Sequence, residues 1–142
     1  MNVRSGVALL LAAVVWNTAA SAAEVQVVVD GVKHDKGAVK VALYVDPATF
    51  RKEDKALVRQ SQPAHVGQQV FTFSGLAAGR YAVVVYHDEN GNGEMDRFLG
   101  MIPTEGYGLS NNPEVSGPPK FEPSAFDATE GAPTKTMVEL RY

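Results

Sequence analysis

Apolar and polar positions alternate with a period of two through much of the chain, and that pattern predicts strands. Residues 24–30 set Val25, Val27 and Val29 on one face, and residues 38–45 align Val39, Val41, Leu43 and Val45. Side chains two apart on a strand share a face, so each run reads as a strand with one face in a core. Asp46-Pro47 ends the second run, because proline offers no ladder donor and restricts the residue before it. Residues 69–73 predict a short strand, and Gly75-Leu76-Ala77-Ala78-Gly79 a turn. Residues 80–87 place Tyr81, Val83, Val85 and His87 against Ala82, Val84 and Tyr86, apolar on both faces for most of their length. A strand apolar on both faces belongs in the middle of a sheet.

Elsewhere the pattern weakens. Residues 49–62 are charged and weakly periodic, compatible with a loop carrying one helical turn. Residues 97–101 predict a short strand. Residues 102–133, rich in Pro, Gly, Ser and Asn, read as a loop region pinned by Phe121 and Phe126; loops of this length are often functional. Residues 134–142 predict a closing strand with Val138, Leu140 and Tyr142 on one side. Short strands, frequent turn signals and almost no helical periodicity predict an all-β chain, a single antiparallel β-sandwich of immunoglobulin-like type with long loops.

The first 23 residues break this pattern. Arg4 supplies a positive start, residues 7–15 an apolar run, and Ala20-Ser21-Ala22-Ala23 the small residues a signal peptidase needs. They are expected to be a secretory signal peptide, cleaved after Ala22 or Ala23, leaving residues 24–142 as one exported domain in the periplasm or outside the cell. No second long apolar run follows, so no membrane span is expected. The chain of 142 residues less 23 leaves 119, enough for a real core. Loss of Arg4 takes the formal charge from −3 to −4. That acidic balance argues against nucleic acid and anionic membrane surfaces as partners. Cysteine is absent from the sequence, which excludes disulfides, thiol catalysis and thiolate metal sites.

Chemistry concentrates in two segments. The first is Asp88-Glu-Asn90-Gly-Asn92-Gly93-Glu94-Met-Asp96. Oxygen-bearing side chains at alternate positions followed by glycine match the first half of a calcium loop, since calcium takes six to eight oxygens and glycine lets the chain bend around it. Position 12 of that pattern is Leu99, where a bidentate glutamate belongs, so the loop is not an EF-hand. Asp88, Asn90, Asn92 and Asp96, with the chain near Glu94, are the candidate calcium ligands, and a hairpin turn built on Asn-Gly is the competing reading. The second segment is Gly106-Tyr107-Gly108-Leu109-Ser110-Asn111-Asn112. Tyr107, Ser110, Asn111 and Asn112 could bind a small polar ligand, or cap the loop's own backbone amides. Ser110 lacks the second glycine of a nucleophile elbow. The three histidines, His34, His65 and His87, form no close pair in sequence. His87 beside Asp88 could join a zinc site or simply end its strand.

Two stretches carry a family resemblance. Phe73-Ser-Gly-Leu76-Ala-Ala-Gly79-Arg-Tyr81-Ala-Val83 resembles the F-x-x-L-x-x-G-x-Y-x-V signature of prealbumin-like sandwiches, which implies a glycine turn leading into a core strand with an inward tyrosine. Residues 86–93, with Phe98-Leu-Gly100, Pro103 and residues 105–112, resemble the DUF2141 family of exported bacterial proteins, over nearly the whole expected mature chain. The acidic loop is also similar to calcium loops in B-type repeats of Gram-positive adhesins. The resemblance implies the fold and export. The function expected is a non-enzymatic module that binds an envelope protein or a small polar ligand through its loops, with a structural calcium ion. The alternative is a small periplasmic hydrolase or lyase using His87, Asp88 or Ser110.

Overall fold

The structure is a computed structural model and describes residues 21–142. The expected signal peptide therefore lies, up to residue 20, outside the described residues. Ala23, with Glu24 one of the two expected mature starts, opens the first strand and is fully buried.

Among the described residues ten strands and two helical turns follow in order: β1 Ala23–Val32, β2 Ala38–Tyr44, a 3-10 turn Glu53–Lys55, β3 Val58–Pro63, β4 Gly67–Leu76, β5 Gly79–Asp88, β6 Arg97–Phe98, β7 Ile102–Pro103, β8 Tyr107–Leu109, α1 Phe121–Ser124, β9 Phe126–Ala128 and β10 Thr134–Glu139. One sheet has the order β10-β1-β4, the other β3-β2-β5-β8 with β9 also on β5, and β6 and β7 form a separate small hairpin. The fold is a β-sandwich, antiparallel except that β10 runs parallel to β1. No described helix is long and apolar enough to cross a membrane.

Alternation puts Val25, Val27 and Val29 of β1 and Phe71 and Phe73 of β4 against Val39, Val41 and Leu43 of β2 and Tyr81, Val83 and Val85 of β5. The opposite face of β5 is buried too. Ala82 and Val84, with Ala42 and Tyr44 of β2, pack under Phe50, Leu109, Phe121 and Ala125 from the long connections. This second cluster explains why β5 reads as apolar on both faces. The Tyr81 hydroxyl donates to the Ala77 carbonyl, so the inward tyrosine is both packed and satisfied.

Four expectations need correction. Val45 lies beyond β2 and is 48% exposed, off the core face. The undecided stretch 49–62 holds a 3-10 turn at Glu53–Lys55 and all but the last residue of strand β3. Its inward residues Gln60 and Gln62 donate to the Thr72 and Val70 carbonyls of β4 (2.7 and 3.2 Å), lacing the two sheets along their open edge. Inward glutamines carry no apolar signal, which is why the pattern missed this strand. The loop expected at 102–133 holds β7, β8, α1 and β9. The last strand stops at Glu139: Val138 and Leu140 are buried, but Tyr142 is half-exposed and turns toward the end of β5.

Candidate functional site

Residues 89–106 leave the sandwich between β5 and β8 as one excursion, the acidic loop followed by the β6–β7 hairpin. Its base is a buried carboxylate. Glu105 is 5% exposed, and its two oxygens accept the backbone N–H groups of Glu89 (2.9 Å) and Asp96 (3.1 Å). One side chain thus ties both ends of the acidic loop together.

Within the loop, Asp88 is buried at the end of β5 and accepts the N–H groups of Asn92 (3.1 Å) and Gly93 (2.9 Å). Lys40 Nζ stands 3.4 Å from Asp88 Oδ2 and offsets part of its charge. The Asn90 and Asn92 side-chain amides both donate to the Asp96 carboxylate, and their oxygens accept Asn92 N–H and Glu94 N–H. Asp88, Asn90, Asn92 and Asp96 therefore form one hydrogen-bonded knot, as the alternate spacing implies. Glu94 is exposed beside it.

The second segment is spent largely on structure. Ser110 is fully buried; its Oγ accepts Val83 N–H (2.8 Å) and donates to the Ser124 carbonyl. Asn111 and Asn112 hold positive φ of 65° and 46°. Asn111 donates to the Ala125 carbonyl at 2.8 Å, and Asn112 accepts Glu139 N–H at 2.8 Å. Tyr107 exchanges backbone hydrogen bonds with Arg141. The cleft beside Tyr107 and Asn112 has a volume of about 10 Å³, room for a single water. A larger groove of about 190 Å³ lies across Lys40, Glu53, Arg59, Gln60 and Tyr86. It is still smaller than the 300–1,000 Å³ usual for a small-molecule pocket. There the Tyr86 hydroxyl donates to Glu53 at 3.1 Å; burial, then the Glu53 charge, pushes its ionisation well above the usual range.

A third cluster has no signature in the sequence. His34, in the β1–β2 connection, lies against His87 of β5, with ring centroids 4.6 Å apart. Glu89 Oε1 is 3.0 Å from His34 Nε2. Tyr142 Oη is 2.7 Å from His87 Nδ1, and the Lys36 carbonyl is 2.6 Å from His87 Nε2. Among the described residues, His34, His87 and Glu89 are the only three His or acidic side chains whose ligating atoms lie within 4.8 Å of one another. Two glycines make the approach possible. Gly37, at φ 69°, sits so close to the Asp88 carbonyl that a Cβ would overlap it, and a Cβ on Gly106 would strike the Tyr142 ring. Pairing of Ala38 with Asp88 and Val39 with His87 carries the start of β2 to the end of β5. Only that long-range register unites histidines this far apart in sequence.

Comparison with curated proteins finds no match, and neither does comparison with solved structures. Residues 27–136 do match one family, described as "Uncharacterized protein conserved in bacteria (DUF2141)". With most of the sandwich and the whole excursion inside that match, the chain belongs to the DUF2141 family.

Proposed function

We propose that this protein is an exported, non-enzymatic β-sandwich module that docks on a protein of the bacterial envelope through the excursion between β5 and β8, braced by calcium. The observation that carries this reading is the β6–β7 hairpin. Phe98, Leu99, Met101 and Ile102 are 59%, 75%, 75% and 58% exposed within five residues. A small domain rarely leaves so much contiguous apolar side chain in water without a surface to bury it against. The Glu105 clamp holds the hairpin's base in a fixed direction, which lowers the ordering cost of docking. In the acidic loop, turning the Asn90 and Asn92 amides so that oxygen faces inward would offer calcium a shell with Asp88 and Asp96.

The hydrolase reading has less to support it. The Ser110 hydroxyl has both roles taken by backbone, and both His87 ring nitrogens are engaged by Tyr142 and Lys36. The test is site-specific photocrosslinking in growing cells, with the probe at position 99 and a control probe at Val66, which is exposed elsewhere. Position 99 should give a discrete protein adduct that position 66 does not, and Met101→Asp should remove it. Equal adducts at both positions, or none, would discard the reading.

A further inference from the structure

We propose that His34, His87 and Glu89 form a binding site for one divalent transition-metal ion of the zinc type, at the base of the acidic loop but with none of that loop's four candidate calcium ligands. The tautomer of His87 is the first ground. The Lys36 carbonyl 2.6 Å from Nε2 can only accept, so Nε2 carries the proton. In the neutral ring Nδ1 then holds a lone pair, which faces the Tyr142 hydroxyl, and the His34 ring lies 4.6 Å away between centroids. An imidazole with one N–H fixed on a backbone carbonyl and a lone pair on the other nitrogen is the arrangement that orients metal-ligating histidines; here the lone pair accepts the Tyr142 O–H, which turns aside when an ion binds.

Placement is the second ground. His87 is fully buried, whereas the His34 and Glu89 side chains are 35% and 27% exposed. The cluster therefore has a dry base and an open rim, which gives an ion a way in. Ligand atoms about 2.0–2.1 Å from zinc in a tetrahedron lie roughly 3.3 Å apart. One ligating atom from each of the three side chains already lies within 4.8 Å of the other two. His34 stands outside β1 and β2, and Glu89 one residue beyond β5, so closing the remaining gap moves no strand. Two imidazoles and one carboxylate are a donor set zinc takes readily, leaving one position open. The Tyr142 hydroxyl, 2.7 Å from His87 Nδ1, is an oxygen placed beside that position.

Titration of the purified, chelator-stripped protein with zinc chloride tests this. Calorimetry should give one ion per chain, and cobalt(II) should give the visible spectrum of a tetrahedral site with nitrogen ligands. His34→Ala and Glu89→Gln each alter a partly exposed side chain outside the strands, and circular dichroism will report that the fold survives. Each should weaken zinc by at least about 10–100-fold, the loss seen even when an outer partner of a ligand is removed. Asn90→Ala with Asp96→Ala, which breaks the acidic loop, should leave zinc affinity unchanged. Failure of the wild type to take up zinc, or wild-type affinity in both His34→Ala and Glu89→Gln, would overturn the site. Loss of zinc in the acidic-loop variant would move the ion to that loop and overturn it equally.

Discussion

At the residue scale, Ser110 shows how a polar side chain in a loop-like sequence can serve the interior. A hydroxyl beside two asparagines and two glycines reads as a contact for ligand. Its depth depends on α1 folding back over β5, which no local pattern announces. In the structure it bolts Val83 of β5 to the Ser124 carbonyl. Ser110→Ala keeps the volume nearly constant and leaves both backbone groups without a partner. A buried group left unpaired costs about 1–3 kcal/mol, so the variant should lower the denaturant midpoint clearly while the slope stays unchanged. A midpoint equal to wild type would return Ser110 to the pool of ligand-binding candidates. Tyr81, Val83 and Val85 were legible because alternation alone assigns them a face. The partners of Asn111, Asn112 and His34 were not, because a polar side chain carries no sign of which distant group it will meet.

At the element scale, what could be read depended on what fills the inward positions. β1, β2 and β5 present valines, leucine and tyrosine inward and stand out in the sequence. β3 presents Gln60 and Gln62 to the neighbouring sheet's carbonyls and does not. The acidic loop is the opposite case: its spacing is local, so the meeting of Asp88, Asn90, Asn92 and Asp96, joined by hydrogen bonds, was legible. If calcium braces the loop, it stabilises only the folded state, by RT ln(1 + [L]/Kd), about 1.4 kcal/mol at tenfold excess over Kd. With the millimolar-range affinity usual for extracellular modules, 10 mM calcium against chelator should raise the melting temperature by a few degrees. Asn90→Ala with Asp96→Ala should remove the difference, and magnesium should do less because it holds its waters in a tighter octahedron. Identical melting of wild type and variant with calcium and with chelator would leave the loop a turn that only aims the hairpin.

At the scale of the whole molecule, the sandwich class followed from counting alternating runs, while the arrangement of strands did not. β10 pairs with β1 in parallel, a choice fixed by how the chain returns across the fold rather than by any residue in β10. A second layer over β5, built from Phe50, Leu109, Phe121 and Ala125, was equally hidden because its residues are scattered over connections, a three-residue strand and one helical turn. One consequence of this double packing is alkaline sensitivity. Burial raises the phenols of Tyr44, Tyr81, Tyr86 and Tyr142, and that of Tyr44 reaches about 12 from an ordinary value of 10.0. A group whose ionisation is raised on folding contributes nothing to the pH dependence while both states keep the proton. Above pH 10.0 the unfolded chain begins to lose protons that the folded chain retains, so stability falls as pH rises through the window up to about 12. Unfolding free energy should therefore be flat with respect to these groups from neutrality to about pH 10 and then decline with increasing slope as several tyrosines contribute. Tyrosinate absorbance in the native protein should lag behind that of the denatured chain and then rise together with the loss of strand circular dichroism. A titration in which most tyrosines ionise near pH 10.0 with the sheets intact would mean that the two packed faces of β5 are open to water.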